Sequence, residues 1–370
     1  MSVTLHLIAS CREAFRRLYG ISNEAEDISP TGFTDDFLAL ARRHRVINLL
    51  EAGLGLSRVL PTEQAVRWQQ AVFGQARHTS ARVSEAERLF KFLEDALTRP
   101  VLIKGPALAA QAWPDLSLRV FDDLDFRVAR GEYDQLIEVM TASGYRPLTD
   151  DPRRRYALWH FGWGIGFRNG EGSIVEFNHR FFPPHFPVPG GFHPAREEFI
   201  TTIKLDEQSV CTLTPAVHLQ YACLHAAWHG WERLAWLIDI GGLLIRHPEA
   251  LEEARAQSIR HGFARVSLRQ GVSLASELLG LAYASGTANL KEILEQAPAE
   301  RHGANLRKQH RSGMNFIEKT GYDLRRVLTP GDGDFAGLPL PRKALFLYWP
   351  IRPIRFMVSR INRPAVTQIT

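Results

Sequence analysis

The sequence is poor in cysteine, in net charge and in long apolar runs. Its three cysteines, Cys11, Cys211 and Cys223, form no Cys-x-x-Cys pair, so we predict neither a disulfide framework nor a cysteine zinc site. Unpaired cysteines are typical of a reduced setting, and we expect a cytoplasmic protein. The longest stretch without Asp, Glu, Lys or Arg, residues 208–231, contains histidines and a proline, so no transmembrane span is expected. Residues 1–20 lack the pattern of a secretory signal.

The charge is nearly balanced and unevenly distributed. With 45 basic and 40 acidic residues the net charge is +5, a mild excess that does not predict a nucleic-acid partner. Residues 341–370 hold six Lys and Arg and no acid, which leaves −1 for the rest of the chain. This basic aromatic tail is therefore the candidate contact for an acidic partner or a membrane surface.

The order of helical and strand-like segments predicts an α+β protein. Residues 1–99 are expected to be a helical region, with one helix after the N-cap Thr34 and another over Glu63–Leu97. Residues 100–200 mix short strands and helices, including strands at Val101–Ile103 and at Trp159–Phe167. Residues 182–198 are rich in Pro and Gly and predict an irregular loop. A helical domain over 201–330 follows, with a helix from Thr214-Pro215, and then the tail at 331–370.

Three carboxylates in residues 100–200 form the candidate metal site. Asp123 and Asp125 are two residues apart on a predicted strand, so both side chains point to the same face. Glu176 lies on a later strand, and the Arg168–Gly172 segment before it contains Asn-Gly and predicts a hairpin turn. Oxygen ligands of this kind suit Mg²⁺, and two such ions can activate a hydroxyl and stabilise a leaving pyrophosphate.

Three residues upstream are candidate phosphate ligands. Lys104-Gly105 joins a predicted strand to a helix, and the amide groups at a helix N-terminus bind anions. Arg119 can add a second positive charge. Each feature alone occurs often without function, whereas the ordered combination with the carboxylates is specific.

This combination resembles a known family. The segment IKGPALAAQAWPDLSLRVFDDLDFRV is similar to the core signature of the uncharacterised nucleotidyltransferase family, in the DNA polymerase beta-like superfamily, and the matching positions are Lys104, Gly105, Arg119, Asp123, Leu124 and Asp125. The helix that follows ends in Gly144-Tyr145, as in that family, and a later strand matches it at Val175, Glu176 and Phe177. The segment LHAAWHGWERLAWLIDIGGLL resembles a second motif of that family at His225, His229, Gly230, Trp231, Leu234, Trp236 and Asp239. Pro106, Asn178 and Trp228 depart from the pattern, at positions where relatives carry serine, histidine and lysine.

The histidines leave several interpretations open. His225 and His229 are four residues apart on a predicted helix, a spacing that also occurs in metal sites, and Asp239 could add an oxygen ligand. Packing among Trp and Leu is the ordinary alternative. A third interpretation, which includes His160, is that these residues line the cleft that binds the acceptor.

The resemblance and the carboxylates together predict a Mg²⁺-dependent nucleotidyltransferase. It would transfer a nucleoside monophosphate, from ATP or another NTP, to a hydroxyl or similar group of an unidentified small molecule, peptide or protein. Asp123, Asp125 and Glu176 would hold the metal, with Glu176 alternatively acting as a base. The alternatives are an inactive nucleotide-binding adaptor of the same fold and a hydrolase using a His/Asp metal site.

Overall fold

The computed structural model describes residues 2–21, 33–186, 197–258, 261–283, 290–295, 310–311 and 313–361. The predicted loop at 182–198 and the tail at 331–370 therefore lie partly outside the described residues. Among the described residues, no helix is long and apolar enough to span a membrane.

The N-terminal region is helical, as predicted. Its helices are α1 (Val3–Leu18), α2 (Asp35–Arg43), α3 (Ile47–Leu54) and α4 (Thr62–Ala96). The Thr34 hydroxyl accepts a hydrogen bond from Phe37 N at 3.3 Å, which confirms the predicted cap. The single helix expected after it is divided into α2 and α3, because Arg45 adopts a φ of 59° that no α-helix contains.

A mixed five-stranded sheet follows, which confirms the α+β class. Its strands are β1 (Val101–Ile103), β2 (Asp123–Arg127), β3 (Arg146–Pro147), β4 (Gly164–Arg168) and β5 (Ile174–Asn178), in the order β1-β2-β5-β4-β3. The β2–β5 pair is parallel and the other pairs are antiparallel. The helices α5 (Gly105–Ala112), α6 (Tyr133–Ala142) and α7 (Pro152–Phe161) connect the strands.

The two faces of the sheet differ in polarity. Leu124 and Phe126 of β2, with Val175 and Phe177 of β5, are fully buried in an apolar core that also contains side chains of α4 and α6. Because neighbouring residues of a strand point to opposite faces, the carboxylates of both strands lie on the other face. The sheet therefore presents its acidic residues away from this core.

The predicted strand at Trp159–Phe167 is wrong in its first half. Residues 159–161 are the last turn of α7, and β4 begins at Gly164. The Asp151 carboxylate accepts a hydrogen bond from Arg153 N at 2.8 Å, and Pro152 is the first helical residue, a combination that favours a helix start. The hairpin turn between β4 and β5 is confirmed, and Gly172 N donates to Asn169 O at 3.1 Å.

A second sheet was not predicted from the sequence. It is a hairpin of β6 (Ile200–Lys204) and β7 (Ser209–Leu213). The Thr212 hydroxyl donates to the Leu102 carbonyl at 2.7 Å, which ties β7 to β1. Residues beyond 200 therefore continue to pack on the sheet region.

Helices form the remainder of the described chain. They are α8 (Pro215–Trp228), α9 (Leu234–Arg246), α10 (Ala250–Ser258), α11 (Gly262–Leu279), α12 (Leu290–Glu295), α13 (Phe316–Leu328), α14 (Asp332–Gly337) and α15 (Tyr348–Ile361). Helix α8 begins at Pro215 as predicted, although Thr214 makes no side-chain cap. One apolar core joins α8 to α11 with α1 and α3.

The described part of the tail packs on other elements. Phe335 and Tyr348 join Phe161 of α7 in a small apolar cluster. Arg342 donates to both carboxylate oxygens of Asp134 on α6, at 2.8 and 2.5 Å. Part of the tail's positive charge is therefore neutralised within the molecule.

Candidate active site

The predicted carboxylates lie together on the polar face of the sheet. In the parallel β2–β5 pair, Asp125 is the register partner of Glu176, and Asp123 lies two residues before Asp125 on the same face. Asp125 is only 2% exposed, whereas Asp123 and Glu176 are half-buried and line a cavity. The structure thus brings together the three residues that the sequence analysis selected.

Lys104 supplies the positive charge beside this cluster. Its Nζ donates to Asp125 Oδ1 at 3.0 Å and lies 5.8 Å from the ring centroid of Tyr221 on α8. Burial opposes the charge on Lys104, but Asp125 and Asp123 outweigh burial and raise the pKa of the ammonium above its usual value. Lys104 is therefore protonated at physiological pH and forms an ion pair with Asp125.

The carboxylates carry more negative charge than this one cation balances. Burial, with the nearby Asp123 and Glu176, raises the pKa of Asp125 against the opposing effect of Lys104, and the resulting pKa is about 7. Burial and Asp123 also raise the pKa of Glu176. A buried carboxyl that titrates near neutrality indicates a site suited to an additional cation or to proton transfer.

The turn from β1 to α5 places Lys104 and Gly105 at the cavity. Lys104 has a φ of 55° and Gly105 a φ of 43°. Glycine adopts positive φ without steric cost, whereas a lysine there costs about 1–3 kcal/mol, and such strain concentrates at functional sites. The turn directs the N-terminus of α5 towards the carboxylates, where its amide groups favour an anion.

Arg119 is held by Asp239 of α9. Arg119 Nε and Nη2 donate to the two carboxylate oxygens of Asp239 at 2.7 and 2.9 Å, and Trp113 Nε1 donates to Oδ1 at 2.6 Å. Both charged side chains are nearly inaccessible. Arg119 borders the cavity, but this pair mainly fixes α9 against the sheet region. Asp239 itself is not among the residues that line the cavity.

The cavity lies between the polar face of the sheet and the helices α8 and α9. Its volume is about 340 Å³, within the range of small-ligand sites. Its charged and polar lining comprises Arg45, Lys104, Arg119, Asp122, Asp123, Glu176, His225, His229, Glu232 and Arg233. Carboxylates and cations are therefore interspersed around the cavity, with Asp122 paired to Arg45 and Glu232 beside Arg233.

Two of these arginines were not selected from the sequence. Arg45 follows α2 and Arg233 precedes α9, and the two are joined by His44, whose Nδ1 accepts from Leu234 N at 3.3 Å and whose carbonyl accepts from Ala235 N at 3.3 Å. Burial and the charge of Arg233 lower the pKa of Arg45, although Asp122 forms an ion pair with it. Like charges held together at a cavity favour a bound anion. The only sequence signal was the His44-Arg45 segment, and it was not specific.

The predicted histidines separate into two groups. His225 and His229 line the cavity with ring centroids 4.7 Å apart. Burial and Lys104 lower the pKa of His225 well below its usual value, and burial lowers that of His229 to about 4. Both are therefore neutral at pH 7. The structure does not bring His160 to this cavity, because His160 lies on α7, where its carbonyl accepts from Arg130 Nη2 at 2.7 Å.

The donor set fits Mg²⁺ in its chemistry. Asp123, Asp125 and Glu176 offer the oxygen ligands that this ion prefers. Within the described ranges no three His, Cys, Asp or Glu side chains stand in a ready ligand arrangement. Lys104 engages one oxygen of Asp125 instead. A metal site formed by His225, His229 and Asp239 is not supported, because Arg119 donates hydrogen bonds to both carboxylate oxygens of Asp239.

Comparison with known protein families identifies the class of protein. Residues 33–280 match the model of a family described as uncharacterised nucleotidyltransferase. The match contains the sheet, the carboxylates and the helices α8 and α9. Together, these features define a nucleotidyltransferase. The chain belongs to the uncharacterised nucleotidyltransferase family.

Two solved structures show weaker similarity. The solution structure of the antibiotic-resistance factor ANT(2'')-Ia is 12% identical, covering 52% of this chain and 92% of that one, with a TM-score of 0.34. The crystal structure of an antigenic nucleotidyltransferase-like protein from Paracoccidioides brasiliensis is 14% identical, covering 50% and 91%, with a TM-score of 0.32. These TM-scores are low, and neither similarity supports a conclusion about the site. No curated protein matches the chain.

Proposed function

We propose that the protein transfers a nucleoside monophosphate from an NTP, with ATP as the first candidate, to a hydroxyl group of an acceptor. The acceptor oxygen attacks the α-phosphorus, the bond to the β-phosphate oxygen breaks, and pyrophosphate leaves. The observation that carries the proposal is the cluster of Asp123, Asp125 and Glu176 beside a cavity that also holds cations. A cavity that combines carboxylates with cations suits a metal–triphosphate complex.

The carboxylates have separate roles in this proposal. Asp123 and Asp125 would hold Mg²⁺, with Glu176 as a third ligand or as the base that accepts the proton of the acceptor hydroxyl. The raised pKa of Glu176 favours the second role, because a base with a pKa nearer to neutrality accepts a proton more readily. Bound Mg²⁺ ions would supply Lewis-acid chemistry at the transferred group.

The cations would position the triphosphate. Lys104 contacts Asp125, and Gly105 at the start of α5 lines the cavity, so the Lys104 ammonium and the Gly105 amide are the donors on this side. Arg45 and Arg233 extend the positive charge along the cavity, and a polyphosphate would offset the repulsion between them. Arg119 remains a predicted phosphate contact, although its interaction with Asp239 gives it first a positioning role.

The histidines would shape the cavity rather than transfer protons. Both His225 and His229 are neutral over the physiological range, since burial lowers the pKa of each. Neutral imidazoles can donate or accept hydrogen bonds to a nucleotide or acceptor without adding charge. We place the reaction in the cytoplasm, because Cys11, Cys211 and Cys223 are all unpaired.

The test is incubation of the full chain with Mg²⁺, each NTP in turn and a pool of small-molecule acceptors, with measurement of pyrophosphate and of nucleotidylated product. We expect both products to require Mg²⁺ and to be lost in Asp123→Asn and Asp125→Asn. Exposed Asp95 of α4 provides the matched control, Asp95→Asn. Full activity in the two site variants would refute the assignment. Tight NTP binding without turnover for any acceptor would instead support a nucleotide-binding adaptor.

A further inference from the structure

A second cavity lies beside the candidate active site and is mainly aromatic. Its volume is about 510 Å³, large enough for a drug-sized ring system. Trp163, Phe186, Trp228 and Tyr322 are among its lining residues. Trp163 is 39% exposed, so part of its ring is accessible to a ligand. Its ring contacts Trp228 edge to face, with centroids 6.2 Å apart.

The two cavities adjoin at the C-terminal end of α8. Trp228 lines the aromatic cavity, and His229, the next residue, lines the active-site cavity. Their rings stack with centroids 5.2 Å apart and an interplanar angle of 30°. His310 Nε2 also lies 3.0 Å from the Trp228 carbonyl and holds this end of the helix. The stacked side chains of Trp228 and His229 therefore form the boundary between the aromatic cavity and the active-site cavity.

The order of strands assigns a side to each reactant. Lys104 and Gly105 follow β1, at one end of the sheet order, and Trp163 immediately precedes β4, on the far side of β5. Glu176 of β5 lies between them. The triphosphate would approach from the β1 side, so the aromatic cavity is on the side from which an acceptor would reach Glu176.

In the described part of the chain, Arg326 is the cation of the aromatic cavity that no carboxylate balances. Arg154 donates to both Asp332 oxygens at 2.8 and 2.7 Å, and Arg352 and Arg355 share Asp334, each at 3.2 Å. Burial lowers the pKa of His185 to about 4, so it is neutral at pH 7. The exposed Arg326 has no carboxylate within ion-pair distance among the described residues. Its guanidinium favours a ligand with an acidic group.

The outer wall of this cavity lies outside the family match. Tyr322, Arg326 and Pro330 come after residue 280, whereas Trp163 and Trp228 lie inside the matched range. The catalytic elements thus belong to the part shared with the family. The wall that would select the acceptor belongs to the remainder of this chain.

We propose that the aromatic cavity binds the acceptor, and that the acceptor is a small aromatic acid that also carries a hydroxyl group. The ring would stack on Trp163 and Trp228, and the acidic group would bind Arg326. The hydroxyl oxygen would form the new bond to the α-phosphorus, pyrophosphate would leave, and Glu176 would take the hydroxyl proton. This inference rests on the proposed function for its chemistry, but binding in the cavity is measurable without turnover.

The probe is 6-hydroxy-2-naphthoate, a fluorescent bicyclic acid, titrated into the full chain and compared with the neutral 2-naphthol. We expect the acid to bind about tenfold more tightly than the neutral compound, as a hydrogen bond to a charged group typically allows. Arg326→Gln should abolish this preference. Trp163→Ala should weaken both compounds by about three- to tenfold through loss of stacking. Arg146→Gln and Phe73→Ala replace an exposed arginine and an exposed aromatic elsewhere and should change neither Kd.

Several results would overturn the inference. The inference fails if the probe does not bind, if the acid and the neutral compound bind equally well, or if neither Arg326→Gln nor Trp163→Ala changes the affinity. It also fails if ATP displaces the probe, because this cavity would then be the nucleobase site. Failure of the proposed function has a different signature. In that case the probe binds with the expected variant pattern, while no acceptor yields pyrophosphate.

Discussion

The protonation of Asp125 should make the stability of the protein depend on pH. Burial raises the pKa of this carboxyl from 3.8 to about 7 in the folded state. The folded state therefore holds a proton that the unfolded chain releases, and the stability present below pH 4 is lost as the pH rises towards 7. The slope is about 1.4 kcal/mol per pH unit and flattens near pH 7, where the folded carboxyl is half deprotonated, so the free energy of unfolding should fall by about 2 kcal/mol between pH 5 and pH 7.

The assay is urea unfolding followed by tryptophan fluorescence, with EDTA present, at several pH values from 5 to 8. Asp125→Asn removes the titrating group and should remove most of this decline, so that the variant gains on the wild type as the pH rises. Asp95→Asn is the matched control and should follow the wild type. An identical decline in Asp125→Asn and wild type would refute the reasoning, because the carboxyl would then titrate normally.

Three further predictions concern the charges around the cavity. Arg119→Gln leaves the buried Asp239 carboxylate unpaired and should lower the free energy of unfolding by about 3–5 kcal/mol in urea unfolding. Arg342→Gln breaks an exposed ion pair and should lower it by only about 0–1 kcal/mol. Equal losses in the two variants would contradict this prediction. Arg45→Gln and Arg233→Gln should each weaken Mg·ATP binding about tenfold by calorimetry, and unchanged affinity would remove both from the triphosphate site. Lys104→Met removes the cation that lowers the pKa of the carboxyl beneath it, so the pH-dependent decline in stability should extend to higher pH, and a shift to lower pH would be inconsistent.

The acidic face of the site was predictable because strand alternation is a local property. The spacing of Asp123 and Asp125 requires a common face wherever the strand lies. Glu176 could be placed on a neighbouring strand, and the parallel register that makes it the partner of Asp125 became known only from the structure. The common face of Asp123 and Asp125 therefore followed from the sequence, whereas the register that adds Glu176 did not.

The cationic part of the site depends on contacts between distant segments. From the sequence, Arg119 was predicted to contact phosphate. Its ion pair with Asp239 was missed because the two residues are 120 positions apart, and no local pattern reveals a buried pair of that kind. Arg45 and Arg233 meet through the His44 contact to the start of α9, which is equally invisible in the sequence.

Local propensity also misled the prediction of α7. Residues 159–161 are aromatic and histidine residues that fit a strand as well as a helix, and the helix signal lay upstream, in Asp151 and Pro152. The basic tail stays a candidate contact for an acidic partner or a membrane surface, although Arg342 is already paired with Asp134. The residues that decide the start of α7 and the pairing of Arg342 lie outside the segments from which the predictions were made.

The most direct test of the central claim is the fate of each phosphate of ATP. The full chain is incubated with Mg²⁺ and an acceptor pool, in parallel with ATP labelled at the α-phosphate and at the γ-phosphate. We predict that the α label enters an acceptor product, that the γ label appears in pyrophosphate, and that Asp125→Asn abolishes both. Entry of the γ label into the product, or equal transfer by the variant, would contradict nucleotidyl transfer at this site.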